Sequence, residues 1–272
     1  MARFPTCSAV NLAIVVAISL FVFGCSFDDS NTNPTPGITD DLFPLVVGHK
    51  INFTGFLRQP GADTNLTSTR FFYQSRWTVG TFKAAVDPVG SVGSATAIVD
   101  SVKIGPNAID WRVDTLLVQK AVASGAVDFS FLTSIASFYR TYYPAANTSG
   151  TSRTDSLRWM QLTQLTPGMG VEFTAYDSTY NIILSGQSTT ARLLIAGIFN
   201  GTETWTLAGQ TFTTYKLTIS RKVYLNSSST PVSPVQQTAV FWIAANVGPI
   251  RMILNADDRN YGNFKEYSGK NF

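Results

Sequence analysis

Long segments of this chain alternate apolar and polar residues with a period of two. In the segment RFFYQSRWTVGTF, Phe71, Tyr73 and Trp77 take odd positions while Gln74 and Arg76 take even ones. Successive side chains of a β-strand point to opposite faces, so this pattern predicts a strand with one buried face. A chain built from such segments has to bury one face of a sheet.

The alternation recurs along the rest of the chain. Ile109, Trp111 and Val113 alternate with Asp110, Arg112 and Asp114, which predicts a strand with the first three in the core. Further strands are predicted over 211–225, 237–244 and 249–255, with a hairpin turn at 207–210. Only 14% of residues are charged and 12% are aromatic, as is typical of strands. Without helices between them, the strands predict a mainly β fold: an antiparallel curved sheet, as a half-barrel, an open barrel or a sandwich.

One segment, 128–142, departs from this pattern. It has apolar residues three or four apart, which predicts one short helix capped by Asp128 and ended before Pro144. Strand alternation at Phe129, Phe131 and Thr133 is the alternative for the same segment. The helical face consists of Leu132, Ile135, Phe138, Tyr139 and Tyr142.

The first 24 residues have the features of a signal peptide. Arg3 provides a positive start, and the apolar run from about Ala9 to Phe23 is too short to span a bilayer, which takes about 20 residues. The run ends in Val22-Phe23-Gly24-Cys25, which resembles the lipobox of bacterial lipoproteins. That resemblance implies lipidation of Cys25 and a stable membrane anchor of two or more acyl chains. An ordinary signal peptide with a chance cysteine is the alternative.

The expected organisation follows from this start. Residues 1–24 are the lipoprotein signal peptide, 25–41 a flexible tether rich in polar residues, and 42–272 a single β-rich domain. The two cysteines are Cys7 and Cys25, so the domain has no disulfide. The net charge of +3 without a basic cluster argues against nucleic acid as a partner and leaves the membrane, through the anchor, as the expected one.

The residues after Cys25 indicate in which membrane of the cell envelope the protein is expected. Ser26 is not the aspartate that retains some lipoproteins in the inner membrane, so we expect the outer membrane. Asp28 and Asp29 resemble the acidic export signal of surface lipoproteins in Bacteroidetes-type bacteria, which implies exposure at the cell surface. A merely soluble acidic tether is the alternative.

Three short motifs carry a wider resemblance. They are Leu42-Phe43-Pro44-Leu45 with the following Gly48-His49, the hairpin sequence Ala208 to Phe212, and the segment Trp242 to Gly248. Together they resemble uncharacterised bacterial envelope lipoproteins that share a YFPL opening and a W-x-AP-x-VG segment. Here Ala245 replaces the proline. The resemblance implies a curved antiparallel sheet, similar to the half-barrel of periplasmic lipoprotein carriers, and no known activity.

The side chains offer little catalytic chemistry. His49 is the only histidine, so neither a serine-type triad nor a zinc site is expected, and we predict no metal, no cofactor and no enzyme. The minority alternative is a carboxylate-based hydrolase using Glu172 or Glu203 with an aspartate. Glu172 and Asp177 are five apart and are therefore expected on opposite faces of a strand. The oxygen-rich segment 255–260 is interpreted as a turn rather than a calcium loop.

Two binding hypotheses remain. In the first, the protein is a lipid-anchored binding module whose concave face takes an acyl chain or another hydrophobic ligand. In the second, it is a surface-displayed interaction, adhesion or structural protein without a pocket, which contacts envelope protein or polysaccharide. The same aromatic residues could instead fill the core. The pocket candidates are Phe71, Tyr73, Trp77, Trp111, Phe212, Tyr215, Phe241 and Trp242.

Four Asp-Ser or Asp-Thr pairs resemble the sites at which Bacteroidetes-type bacteria attach O-glycans to envelope proteins. The hydroxyls concerned are those of Ser101, Thr115, Ser156 and Ser178. A glycan needs an exposed hydroxyl. Chance pairs and ordinary turns are the competing explanation.

We expect Cys25→Ala to abolish membrane anchoring, because the variant has no thiol to carry the acyl chains. Membrane fractionation and intact mass of the full chain provide the measurement, and Cys7→Ala is the matched control that keeps its anchor. A Cys25→Ala variant that still fractionates with membranes, beside a wild type that carries no acyl mass, contradicts the lipoprotein assignment.

Overall fold

The structure is a computed structural model of the chain. It describes residues 40–59, 68, 71–86, 92–105, 112–123, 126–134, 157–165, 168–184, 186–232, 236–254 and 262–271. These residues belong to one compact unit, 37–272.

Twelve strands in one antiparallel sheet make up the described part of the chain, which confirms the predicted mainly β, curved-sheet architecture. The strands are β1 (Lys50–Arg58), β2 (Phe72–Val86), β3 (Val92–Ile104), β4 (Arg112–Ala123), β5 (Ala126–Ser134), β6 (Leu157–Thr163), β7 (Glu172–Leu184), β8 (Gln187–Leu207), β9 (Gln210–Leu225), β10 (Gln236–Ala244), β11 (Gly248–Leu254) and β12 (Gly262–Asn271).

The sheet consists of two meanders joined at one seam. Its strand order is β6-β5-β4-β3-β2-β1-β12-β11-β10-β9-β8-β7, so every neighbouring pair is consecutive in the chain except β1 and β12. The seam runs from Lys50↔Asn271 to Arg58↔Gly262, with a bulge after Asn52. The outermost strands β6 and β7 also contact each other, so the sheet curves back almost to closure.

The predicted alternation holds along β2 and β9. Tyr73 and Trp77 are buried while Gln74 and Arg76 are exposed, and in β9 Leu217 is fully buried. Trp77 and Leu217 join the main core, which also takes residues from β1, β3, β5, β7, β8, β10 and β11. The concave side of the sheet is therefore packed with side chains.

In β4 the prediction of which face is buried is wrong. Val113 is 65% exposed, whereas Val118 is 1% exposed and packs in the core. Leu116 pairs with buried Ile98 of β3 and also packs against the core, so the even-numbered residues of β4 lie on the core side, although Asp114 near the start of the strand is exposed. The phase of a strand is set by its tertiary register, and a one-residue difference reverses both faces.

The predicted helix over 128–142 is wrong for its first half. Residues up to Ser134 form β5, which pairs with β4 on one side and β6 on the other. The segment around Phe129 forms a strand rather than a helix because pairing with two neighbouring strands satisfies the backbone groups on both of its sides. Residues 135–142 lie outside the described part of the chain.

The β8–β9 hairpin extends beyond its neighbours and bends onto the convex side of the sheet. The last pair with β7 is Glu172↔Ile198 and the last with β10 is Thr214↔Ala244. A bulge between Phe199 and Thr202 bends the hairpin. The Trp205 ring then meets that of Trp242 with centroids 5.8 Å apart, and the Phe212 ring meets that of Tyr267 at 5.1 Å.

These contacts form a second apolar cluster on the convex face. Val240, Trp242 and Ala244 of β10 point into it, and Ala239, Phe241 and Ile243 of the same strand point into the main core. Both faces of β10 are therefore buried. The hairpin closes through Ala208 and Gly209, both at positive φ, as the predicted turn requires.

Gly55 permits a close backbone approach at the seam. It lies in β1 between Tyr73 of β2 and Lys265 of β12. A Cβ at this position would lie 1.9 Å from the backbone carbonyl oxygen of Phe264. The Tyr73 hydroxyl donates a hydrogen bond to that same oxygen at 3.2 Å, so the tyrosine side chain spans the position that the glycine leaves open.

We expect Gly55→Ala to lower the free energy of unfolding by about 3 kcal/mol, because the clash is with backbone and no side-chain rotation relieves it. Chemical denaturation provides the measurement. Gly80→Ala is the matched control in β2, where the nearest atom to a new Cβ is the Ala97 carbonyl oxygen at 3.2 Å. Equal losses in the two variants would show that the β1–β12 approach is not tight.

Candidate functional site

The segment before β1 lies inside the curved sheet. Leu42 is fully buried and Phe43 is 5% exposed, and both belong to the main core. The Phe43 ring packs against Phe129 at a centroid distance of 5.3 Å and against Trp77 at 6.1 Å. We call residues 40–45 the inner segment. Its apolar side chains occupy the space that a ligand of a concave face would take.

Polar contacts tie the inner segment to both meanders. The Tyr215 hydroxyl of β9 donates to Asp40 Oδ2 at 2.5 Å, and Lys120 of β4 forms an ion pair with Asp41 at 2.7 Å. The amide of Asn246, in the β10–β11 turn, donates to the Asp41 carbonyl at 2.8 Å. The hydrogen bond to Asp40, with burial as the second cause, raises the pKa of Tyr215 to about 12.

One hollow beside the inner segment, among the described residues, is small. A hollow lined by Phe43, Ile51, Trp77, Ile98 and other apolar residues has a volume of about 10 Å³. That is room for about one water molecule, far below the volume of an acyl chain.

The predicted pocket residues are divided between the two faces of the sheet. Trp77 and Phe241 pack in the main core with half-buried Tyr215 at its margin, while Phe212 and Trp242 pack in the convex cluster. Phe241 and Trp242 are neighbours in one strand, so a single concave face cannot present both. Tyr73 is buried and Phe71 half-buried. Trp111 lies outside the described part of the chain.

A charged network lies within the sheet beside Trp77. Lys265 of β12 forms an ion pair with Asp100 of β3 at 2.9 Å, and Ser75 of β2 donates to the other Asp100 oxygen at 2.6 Å. The Lys265 ammonium also lies 5.5 Å from the Trp77 ring centroid. Burial, and then the Asp100 carboxylate, raises the pKa of Tyr73 far above its ordinary value. No sequence pattern marks this network, because its members are 25 to 190 residues apart.

The candidate hydrolase carboxylates are held in ion pairs. Glu172 pairs with Lys222 at 2.8 Å, and Asp177 pairs with Arg192. The expectation that Glu172 and Asp177 face opposite sides is wrong. A bulge between Thr174 and Tyr176 adds one residue, and both carboxylates then lie on the same face.

Glu203 takes part in the convex cluster. Lys216 donates to it at 2.8 Å and the Trp242 indole donates at 2.6 Å, and these hydrogen bonds hold the pKa of Glu203 below its ordinary value. A carboxyl group in this state is ionised at neutral pH, the opposite of what a general acid requires. Arg251 lies 4.0 Å from the Trp205 ring centroid and completes the cluster.

The remaining sequence candidates are His49, a metal site, the segment 255–260 and Cys25. His49 is half-buried beside the small hollow. Within the described ranges, no three His, Cys, Asp or Glu side chains gather as a metal site, and no helix has the length and apolarity to cross a membrane. The segment 255–260 lies outside those ranges, and so does Cys25 with the rest of the region before residue 40.

The candidate glycosylation sites differ in exposure. Thr115 is exposed in β4, while Ser101 in β3 and Ser178 in β7 are half-buried. Ser156 lies outside the described residues. Glycosylation of these four hydroxyls stays a prediction.

Comparison with known proteins gives structural likenesses only. No protein-family model matches the chain, and no curated protein shows significant sequence similarity to it. The structure of a lipoprotein candidate from Parabacteroides distasonis is 11% identical, covering 85% of this chain and 99% of that one, with a TM-score of 0.44. A candidate exported protein with a YmcC-like fold from Bacteroides fragilis is 13% identical over 85% and 98%, with a TM-score of 0.41.

A third likeness is to the hypothetical lipoprotein YmcC from Escherichia coli. It is 11% identical, covers 99% of this chain and 98% of that one, and has a TM-score of 0.29. With TM-scores below 0.5, these likenesses establish neither a shared fold nor a shared function.

We expect Phe43→Ala to destabilise the domain by about 3–5 kcal/mol, because it removes a buried ring from between Trp77 and Phe129. Val47→Ala is the matched control: Val47 is 60% exposed, and its truncation should change stability by less than about 0.5 kcal/mol. Denaturant titration of both variants measures these changes in the free energy of unfolding. A Phe43→Ala variant as stable as Val47→Ala would mean that the inner segment contributes nothing to the core.

Proposed function

We propose that this protein is a lipid-anchored module of the bacterial outer membrane that acts through its outer surface. In this role it is an interaction protein, rather than a carrier of an apolar ligand or an enzyme. Cys25 supplies the anchor, and the polar stretch between Cys25 and Asp40 holds the folded domain away from the lipid.

The observation that carries this proposal is the packing of the inner segment against the described core residues. Leu42 and Phe43 occupy the concave side, and the hollow beside them takes about one water molecule. An acyl-chain carrier needs an open apolar volume of roughly 300 Å³ or more. The arrangement therefore favours contacts made from outside the sheet.

The protruding β8–β9 hairpin offers a regular surface for such contacts. One of its faces packs in the convex cluster through Trp205 and Phe212, which holds the hairpin in place. The other face carries five exposed threonines between the hairpin turn and half-buried Tyr215, and we call these five residues the threonine face. Its members are Thr202, Thr204, Thr206, Thr211 and Thr213.

The chemistry of the threonine face fits an uncharged polysaccharide. Cross-strand pairing aligns Thr204 with Thr213 and Thr206 with Thr211, whose hydroxyls are 3.0 Å apart. Residues of one strand face repeat at about 7 Å and strands lie about 4.8 Å apart, so the hydroxyls form a small flat lattice of donors and acceptors. Threonine also suits exposed strands on propensity alone, so the ligand needs a direct test.

We expect the double variant Thr204→Lys/Thr213→Lys to lose retention on insoluble envelope polysaccharide by at least about tenfold, because long charged side chains replace the hydroxyl lattice. Co-sedimentation of the full chain, in detergent, with polysaccharide from its own envelope provides the measurement. The matched control is Thr174→Lys/Thr179→Lys, two exposed threonines of β7.

Three outcomes contradict the proposal in different ways. Equal retention of both double variants removes the threonine face as the contact surface. No retention of the wild type, with a protein partner captured by cross-linking, replaces polysaccharide by protein. A stoichiometric non-covalent lipid in the gently purified wild type would restore the carrier hypothesis.

A further inference from the structure

Three strands bring a lysine, a carboxylate and a hydroxyl into one hydrogen-bonded ring. Lys265 Nζ is 2.9 Å from Asp100 Oδ2 and donates to Ser75 Oγ at 3.2 Å. Ser75 Oγ donates in turn to Asp100 Oδ1 at 2.6 Å. The side chain of Lys265 is 8% exposed and that of Asp100 20% exposed. Rings of Trp77 and Tyr73 lie 5.5 and 5.9 Å from the ammonium group.

We propose that Lys265 and Asp100 condense to form an intramolecular isopeptide bond. The new bond joins Lys265 Nζ to the Asp100 Cγ carbon. One molecule of water leaves, so the ion pair seen in the structure is the precursor of the cross-link.

The step balances without any further reactant. The ammonium and carboxylate groups together hold all the atoms of an amide and one water. Lys265 Nζ passes a proton to Ser75 Oγ as it attacks Cγ, and Ser75 passes its own proton to Asp100 Oδ1. Oδ1 takes a second proton from the nitrogen and departs as water, while Oδ2 remains as the amide oxygen. Ser75 acts as a proton relay and ends unchanged.

Two physical effects favour the amide in this place. Groups held in contact react with effective concentrations of about 10⁵ M or more, which offsets the preference of free amines and acids for the separated state in water. A buried ion pair also bears a desolvation penalty that a neutral amide does not. The Tyr73 and Trp77 rings limit the access of water to Nζ, which slows hydrolysis of the product.

The cross-link would join strands that are not neighbours. Asp100 lies in β3 and Lys265 in β12, with β1 and β2 between them, and the two residues are 165 apart in the chain. A disulfide cannot do this, because the cysteines are at positions 7 and 25. Closing a loop of that length restricts the unfolded chain and stabilises the seam between the two meanders.

Peptide mapping of the full chain tests the proposal. Trypsin would otherwise release residues 84–103, with Asp100, and cut after Lys265 to divide 260–270. We expect instead one branched peptide joining 84–103 to an uncut 260–270, with a mass lower than the sum of the two by one water. Lys265→Arg keeps the charge but forms no such amide, and it should release linear peptides only.

Two further variants test the chemistry. Asp100→Asn should yield a branched peptide of the same mass as the wild type, because ammonia leaves in place of water. Ser75→Ala should lower the cross-linked fraction, and an unchanged fraction would overturn the relay. Linear peptides alone from the wild type, with Lys265 cut by trypsin, would overturn the isopeptide bond whether or not the variants fold.

Discussion

The pairing of the first strand with the last holds this sheet together as one body. Each meander, β1–β6 and β7–β12, is built from neighbours in the chain, but the two halves join through the ladder between β1 and β12. That ladder requires contacts between residues about 200 positions apart, which makes it the slowest kind of contact to form. Gly55 lets the two backbones meet there, and Tyr73 covers the space the glycine leaves.

The inner segment depends on that pairing and reinforces it. It contacts β2 and β5 through Phe43, β4 through Asp41 and β9 through Asp40, so it reaches strands of both meanders. Curvature of the sheet creates the space, and the inner segment lies within it. A curved antiparallel sheet therefore does not by itself indicate a ligand site, since occupancy of the concave side decides what the fold is able to do.

Local patterns predicted the strands well and their three-dimensional relations poorly. The alternation around Trp77 and Leu217 was sufficient because both strands keep one phase there, β2 as far as Val79. It misassigned Val113, whose face depends on the register with β3, and Asp177, because the bulge before Tyr176 is invisible in the residue types. Leu42 was predicted to begin the domain, but a short non-periodic segment has no signal for lying inside it. The Lys265 network depends on the register of four adjacent strands, β12, β1, β2 and β3. The spacing of its residues in the sequence therefore could not reveal it.

The position of the inner segment has a mechanical consequence. Any tension that reaches the domain through the chain before Asp40 acts first on the contacts of Asp40, Asp41, Leu42 and Phe43, and only afterwards on a strand ladder. The Asp40–Tyr215 and Asp41–Lys120 contacts lie in opposite meanders, so the load is divided between the two halves of the sheet. Force would extract two apolar side chains from a packed core before it sheared β1 from its neighbours. The segment is thus placed to yield before any strand does when the chain ahead of it is pulled.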